Sequence, residues 1–271
     1  MDTFQNEVFK VPKKWRCIDN SFHDNNSSEI YFGVEHEKED NLTILELVPA
    51  YVKGFHFYNG GLMHSLISSF SASSFPSKIE SLSIGNSSYA ETPINRDYVE
   101  MIEALENCNF INLKNLHLGY WHLYSNSHCL YGTLGDVTSI LKHSPNLECL
   151  GLYGNFKLSL SLPFDRLKSL TIKLNDPYTY VNGGFITQST LDFILESQFS
   201  MIEEVYIDLE CNDDDYGYTF PDKFLDGLTM PQLKKIEIVG GFAIQEKERL
   251  LKSPFTKKNN IKFYFDDMIV S

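Results

Sequence analysis

No stretch of this sequence is apolar for long. The amino-terminal MDTFQNEVFKVPKKWRC holds no uninterrupted run like a secretory signal, and no later segment is long and apolar enough to cross a bilayer. The expectation is a chain that stays in the cytoplasm, off the membrane. Basic residues are also scarce: 23 Lys and Arg stand against 36 Asp and Glu, a formal charge of −13. Binding to nucleic acid or to anionic membranes needs a basic surface, so both classes are disfavoured, whereas a basic partner is favoured. Acidity also serves solubility. Cysteine is sparse and odd in number. Cys17, Cys108, Cys129, Cys149 and Cys211 suit reduced thiols in packing roles better than a disulfide framework.

Catalytic signatures are missing as well. There is no G-x-S-x-G elbow and no phosphate loop ending in Gly-Lys-Ser/Thr, and Gly183-Gly184 is only turn punctuation. CNDDDYGYTFPD evokes a calcium loop. From Asp213 its glycine comes one place early, and counting from Asn212 puts Lys223 where the bidentate acid belongs. His117, His122, His128 and Cys129 lie close in sequence but match no compact zinc spacing; a metal-dependent hydrolase built on them is the enzyme alternative. His56 and His64 read as ordinary loop and helix residues. No cofactor is expected.

What is present is a six-letter phrase: Ile/Leu, Glu/Lys, any, Leu/Val/Ile, any, Leu/Ile. It reads IESLSI, LKNLHL, LECLGL, LKSLTI, IEEVYI and LKKIEI, starting at residues 79, 113, 147, 167, 202 and 233, with intervals of 34, 34, 20, 35 and 31. The second letter is always charged: Glu80, Lys114, Glu148, Lys168, Glu203 and Lys234. Side chains alternate along an extended chain, so letters four and six share a buried face. The fifth letter, Ser83, His117, Gly151, Thr171, Tyr206 or Glu237, then looks out from an open one. Connections this long imply parallel strands returning by crossovers.

Between the phrases, Tyr98, Met101, Ile102 and Leu105 predict an amphipathic helix over 97–107, and Leu134, Val137, Ile140 and Leu141 predict another. Leu191, Ile194 and Leu195 follow Ser189 and Thr190, either of which suits a helix cap; Phe224, Leu225 and Leu228 suggest a shorter helix. Pro145 and Pro231 each precede a phrase by two residues, where proline ends a helix. The 20-residue interval, with Pro163 inside it, predicts an extended or single-turn return. Near the end, Ile244 to Lys252 is a helix candidate, and Ile261, Phe263 and Phe265 mark the last strand.

Residues 1–41 read as a cap, or as the start of a small separate strand unit in which Ile30–Val34 pairs with Leu45–Val48 and Phe55–Tyr58 beyond it. LTILEL at Leu42 fits a degenerate first repeat.

The phrase resembles the L-x-x-L-x-L of leucine-rich repeat proteins, and the asparagine that follows in that pattern is matched at Asn155 and Asn175. The interval lengths resemble the helix-containing repeats of the ribonuclease-inhibitor type. The resemblance covers about two-thirds of the chain and implies an α/β solenoid over 42–271: a curved horseshoe with a concave parallel β-sheet, and helices or irregular crossovers on the convex side.

Such a fold implies function on the open face, which seven or eight strands would extend to about 35 Å. The expected partner-binding residues are His117, Tyr120, Trp121 and Tyr153 in the middle and Glu204, Tyr206, Asp208, Glu210 and Glu237 toward the carboxyl end. Asp213, Asp214 and Asp215 extend the acids, with Tyr216 and Tyr218. Aromatic anchors beside carboxylates suit a basic protein surface. The expectation is a non-enzymatic, monomeric protein-binding module. Its sharper version is an inhibitor or immunity-type protein neutralising a basic enzyme or toxin.

Overall fold

The computed structural model describes residues 15–16, 29–34, 52–58, 63–85, 98–120, 132–174, 186–209, 217–239, 242, 244–258, 262–265 and 268–270. They form a mixed α/β structure on one large sheet. Its strands, in spatial order, are β1 (Trp15–Arg16), β2 (Glu29–Val34), β3 (Gly54–Tyr58), β4 (Ser81–Gly85), β5 (Asn115–Tyr120), β7 (Cys149–Tyr153), β9 (Ser169–Lys173), β10 (Glu204–Asp208), β11 (Lys235–Val239), β12 (Lys262–Phe265) and β13 (Met268–Val270). The run from β2 to β12 is parallel throughout, and β1 and β13 add to its edges antiparallel. A second sheet pairs β6 (Thr133–Asp136) with β8 (Asn155–Lys157).

All six phrases become strands in one register. Leu82, Leu116, Leu150, Leu170, Val205 and Ile236 occupy corresponding places, as do Ile84, Leu118, Leu152, Ile172, Ile207 and Ile238, and all are buried. Removing these two rows from water is a main source of cohesion, at roughly 1.5–3 kcal/mol per side chain. A seventh copy of the pattern was hidden by its phenylalanines. VKGFHF places Lys53 at the charged letter, and Phe55 and Phe57 align with Leu82 and Ile84. Strands β1 and β2 therefore continue the same sheet rather than pairing apart from it. LTILEL lies outside the described residues.

The charged letter has a structural reason. The Lys53 carbonyl accepts from both Glu80 N and Ser81 N, at 2.7 and 3.1 Å, and the same fork recurs at the carbonyls of Glu80, Lys114, Glu148, Lys168 and Glu203. The side chains are thereby stacked side by side with alternating sign. Glu80 bridges Lys53 (2.5 Å) and Lys114 (2.6 Å), Lys168 meets Glu148 at 2.6 Å, and Lys234 meets Glu203 at 2.8 Å. Hydrogen bonds from Lys114 and then Lys53 hold the Glu80 carboxyl below its ordinary range, and Lys168 does the same to Glu148. A carboxyl whose folded pKa is depressed adds stability above its unfolded value, about 4.3, and loses it as pH falls through the folded value. Glu80→Gln is therefore expected to flatten the acid limb of a stability–pH curve below pH about 4, read from urea midpoints, and to make the midpoint less sensitive to salt at neutral pH. An acid limb identical to wild type would contradict this role.

The helices are α1 (Met63–Ala72), α2 (Val99–Leu105), α3 (Thr138–Lys142), α4 (Gln188–Leu195), α5 (Asp222–Leu225), α6 (Ile244–Lys252) and α7 (Pro254–Lys258). α1 packs on α2, α2 on β6, and α7 on α5 and α6. Several expectations need correction. Leu134 belongs to β6, not to a helix. Gly135 turns the chain at φ 73°, and Asp136 accepts from Thr138 N at 2.9 Å, so the helix starts only at Thr138. Thr187, not Ser189 or Thr190, caps α4; its hydroxyl accepts from Thr190 N at 3.2 Å, an arrangement worth about 1 kcal/mol. Leu228 lies past α5 and is 65% exposed. The last strand is β13, which folds back on β12 with Phe265 opposite Met268. The short interval is extended, as its length requires. After β8, Pro163 only bridges Gln198.

Candidate functional site

The parallel register lines up one outward residue per strand: His56, Ser83, His117, Gly151, Thr171, Tyr206 and Glu237. A second row, one pleat earlier, carries Asn115, Cys149, Ser169, Glu204 and Lys235. The face is not uniformly open. His56 and Ser83 are only 8% and 3% exposed, so at β3 and β4 it is closed to solvent, and His56 is a strand residue rather than a loop residue. His117, Thr171, Tyr206 and Glu237 are half-buried and Glu204 is exposed.

At the carboxyl-terminal half the acidic expectation is modified. Asp208 faces the same side as Tyr206 but is 5% exposed, because it lies between Lys173 and Val239 in the register and accepts the Tyr206 hydroxyl at 3.0 Å. The bond ties the two side chains together on that face. Lys235 lies beside Glu204 in the register and reaches Glu237 at 3.3 Å, so the patch contains a cation among its acids. Tyr218 is buried and donates to the Ile186 carbonyl at 2.7 Å, which removes it from the patch. Tyr120 ends β5, and its side chain is not described. Trp121, Glu210, Asp213, Asp214, Asp215 and Tyr216 lie outside the described residues.

The middle of the face holds a compact niche. Cys149, Gly151 and Tyr153 alternate along β7 and so share its outer side. His117, arriving from β5, lies across them, with its ring centroid 6.3 Å from that of Tyr153 and Nε2 3.9 Å from Cys149 Sγ. Only glycine leaves room for it, since a Cβ at Gly151 would stand 2.5 Å from His117 Nδ1 and 2.7 Å from Tyr153 Cε2. On the other flank, Ser169 of β9 lies beside Cys149 in the parallel register. Burial pushes the His117 imidazole down, with His56 adding to the effect, and pushes the Cys149 thiol up against the opposing pull of Ser169. Both groups therefore rest neutral. His117 and Tyr153 were expected to share a surface and do. Cys149 was read as a packing residue, although C-x-G-x-Y on a strand already places it beside them.

Among the described residues no three of His, Cys, Asp or Glu stand together as metal ligands; His122, His128 and Cys129 lie outside them. Nor is any helix among them long and apolar enough to cross a membrane. No family model and no curated protein matches the chain. Among solved structures, a Bacteroides fragilis protein, a Northeast Structural Genomics Consortium target, aligns with 18% identity and a TM-score of 0.48, covering 76% of this chain and 57% of that one. The alignment thus spans less than two-thirds of that protein.

Proposed function

We propose that this chain is a non-enzymatic, cytoplasmic leucine-rich repeat protein that binds a basic protein through the open face of its sheet, the concave face in such a solenoid. The observation that carries this reading is the unbroken parallel register. It gathers His117, Tyr153, Glu204, Tyr206 and Glu237, from strands far apart in sequence, onto one face without any loop having to place them. Tyrosines supply rigid contact area, and the Glu204 and Glu237 carboxylates steer a cationic surface toward it. The inhibitor or immunity-type version follows the same chemistry, with a basic enzyme or toxin as the partner.

The test is a pull-down from native extract, run in parallel with wild type and with the Glu204→Lys, Glu237→Lys double variant at low and high salt. A stoichiometric basic protein held by wild type, released by salt and bound at least about tenfold more weakly by the variant is the expected result. Equal affinity of both forms for the captured protein would overturn the assignment of this face.

A further inference from the structure

The niche at Gly151 carries an inference independent of that reading. We propose that Cys149 is a thiol–disulfide exchange site for small disulfides, with His117 as its proton acceptor and Ser169 as a hydrogen-bond donor to the sulfur.

The geometry supplies each part. Cys149 is half-buried on the sheet's outer side, not in the core. Its neighbours on the two adjacent strands differ in chemistry. On the β5 side His117 presents Nε2 at 3.9 Å, the range of a sulfur hydrogen bond, and on the β9 side Ser169, a hydroxyl residue, is the register neighbour of Cys149. The glycine at 151 is what allows the imidazole to lie there. Cys108 makes the contrast: it is buried among core residues, its sulfur meets the Ser71 carbonyl at 3.8 Å, and burial raises its thiol to about 11. A thiol flanked by a base and a donor can form a thiolate at the moment of attack, even where the resting pair is neutral.

The step balances. Cys149 attacks one sulfur of a low-molecular-weight disulfide, and its proton passes to His117 Nε2. The new S–S bond joins Cys149 to that half, the old S–S bond breaks, and the departing thiolate takes the proton from His117. The Cys149 sulfur is oxidised to a mixed disulfide and the departing sulfur is reduced to a thiol. The groups that face His117 are His56 on β3, Ser83 on β4, and Cys149 and Tyr153 on β7; burial and then His56 lower its titration.

The experiment uses the full chain with excess oxidised glutathione, quenched by acid over time and mapped by peptide mass spectrometry to read the adduct at each cysteine. Cys149 is expected to be modified well ahead of Cys108, and His117→Gln to slow the Cys149 adduct roughly 100-fold at pH about 7.5, the low end of what a general base contributes. The gap should close near pH about 10, where hydroxide forms the thiolate without help. A change of packing alone would alter both rates alike. Should His117→Gln not fold, the wild-type profile decides. A base predicts that the Cys149 rate falls as pH drops through an inflection below 6.5, the imidazole's ordinary value, whereas unassisted exchange falls tenfold per pH unit throughout with no break. No adduct at Cys149, a rate unaffected by His117→Gln at pH about 7.5, or an unbroken tenfold slope would each overturn the proposal.

Discussion

Replacing Gly119 with alanine is expected to cost about 3 kcal/mol or more of stability, seen as a large fall in the urea midpoint. Gly119 sits in β5 at φ 76°, where an L side chain is strained by roughly 1–2 kcal/mol. A Cβ there would also stand 1.9 Å from the Tyr153 carbonyl oxygen and 3.0 Å from its carbon, both backbone atoms that cannot swing aside. Relief requires β5 and β7 to part, at a further cost of about 1–3 kcal/mol. The register shift between β4 and β5, which pairs Gly85 with Tyr120, passes over this residue. Thr171→Ala, at a half-buried place on the same face, serves as the control and should fall within about 1 kcal/mol of wild type. A Gly119 variant as stable as that control would mean that the close approach is not part of the folded state.

Phe224→Ala should lose about 3–5 kcal/mol. The ring is fully buried, 4.6 Å from the Phe255 ring and 5.6 Å from Phe220, which itself stacks on Phe242 at 4.2 Å. This aromatic column joins α5 to α7, and Arg249 ties α6 to the same place through Asp222, Glu246 and the Phe220 carbonyl. Because β11 pairs with β10 and β12 in the sheet and β4 lies five strands away, hydrogen exchange should quicken most around β11 and the last helices and least at β4. Uniform quickening along the sheet would argue for a single cooperative unit instead.

The sheet was legible where leucine and isoleucine carried it. Each phrase combines period-two burial with a charge at the strand start, and both signals survive in a single sequence. β3 was harder to read because Phe55 and Phe57 fill the apolar letters, and bulk rather than pattern identifies them as core. The β6–β8 pair was illegible. Its strands are three or four residues long and are shaped by Gly135 at φ 73° and Gly154 at φ 106°, a backbone property that periodicity does not express. On the open face, strand alternation placed His117, Tyr153, Glu204, Tyr206 and Glu237 correctly, but it could not foresee that Tyr206 and Asp208 would bond to each other, or that Gly151 would let an imidazole cross toward a thiol. Pattern tells which way a side chain points; what it meets there depends on the next strand.

The alternating charges also give the chain a parity. From Lys53 to Lys234 the sign reverses at every step, although the backbone forks that stack these residues are indifferent to side-chain identity. Excising a single unit, from Glu80 up to Lys114, would seat Lys53 beside Lys114 and bring like charges together at a strand start. Excising two would seat Lys53 beside Glu148 and restore attraction. Growth or shrinkage of this sheet by one unit therefore meets an electrostatic penalty that a change of two escapes, and a lone inserted copy makes one like-charged pair whichever sign it carries.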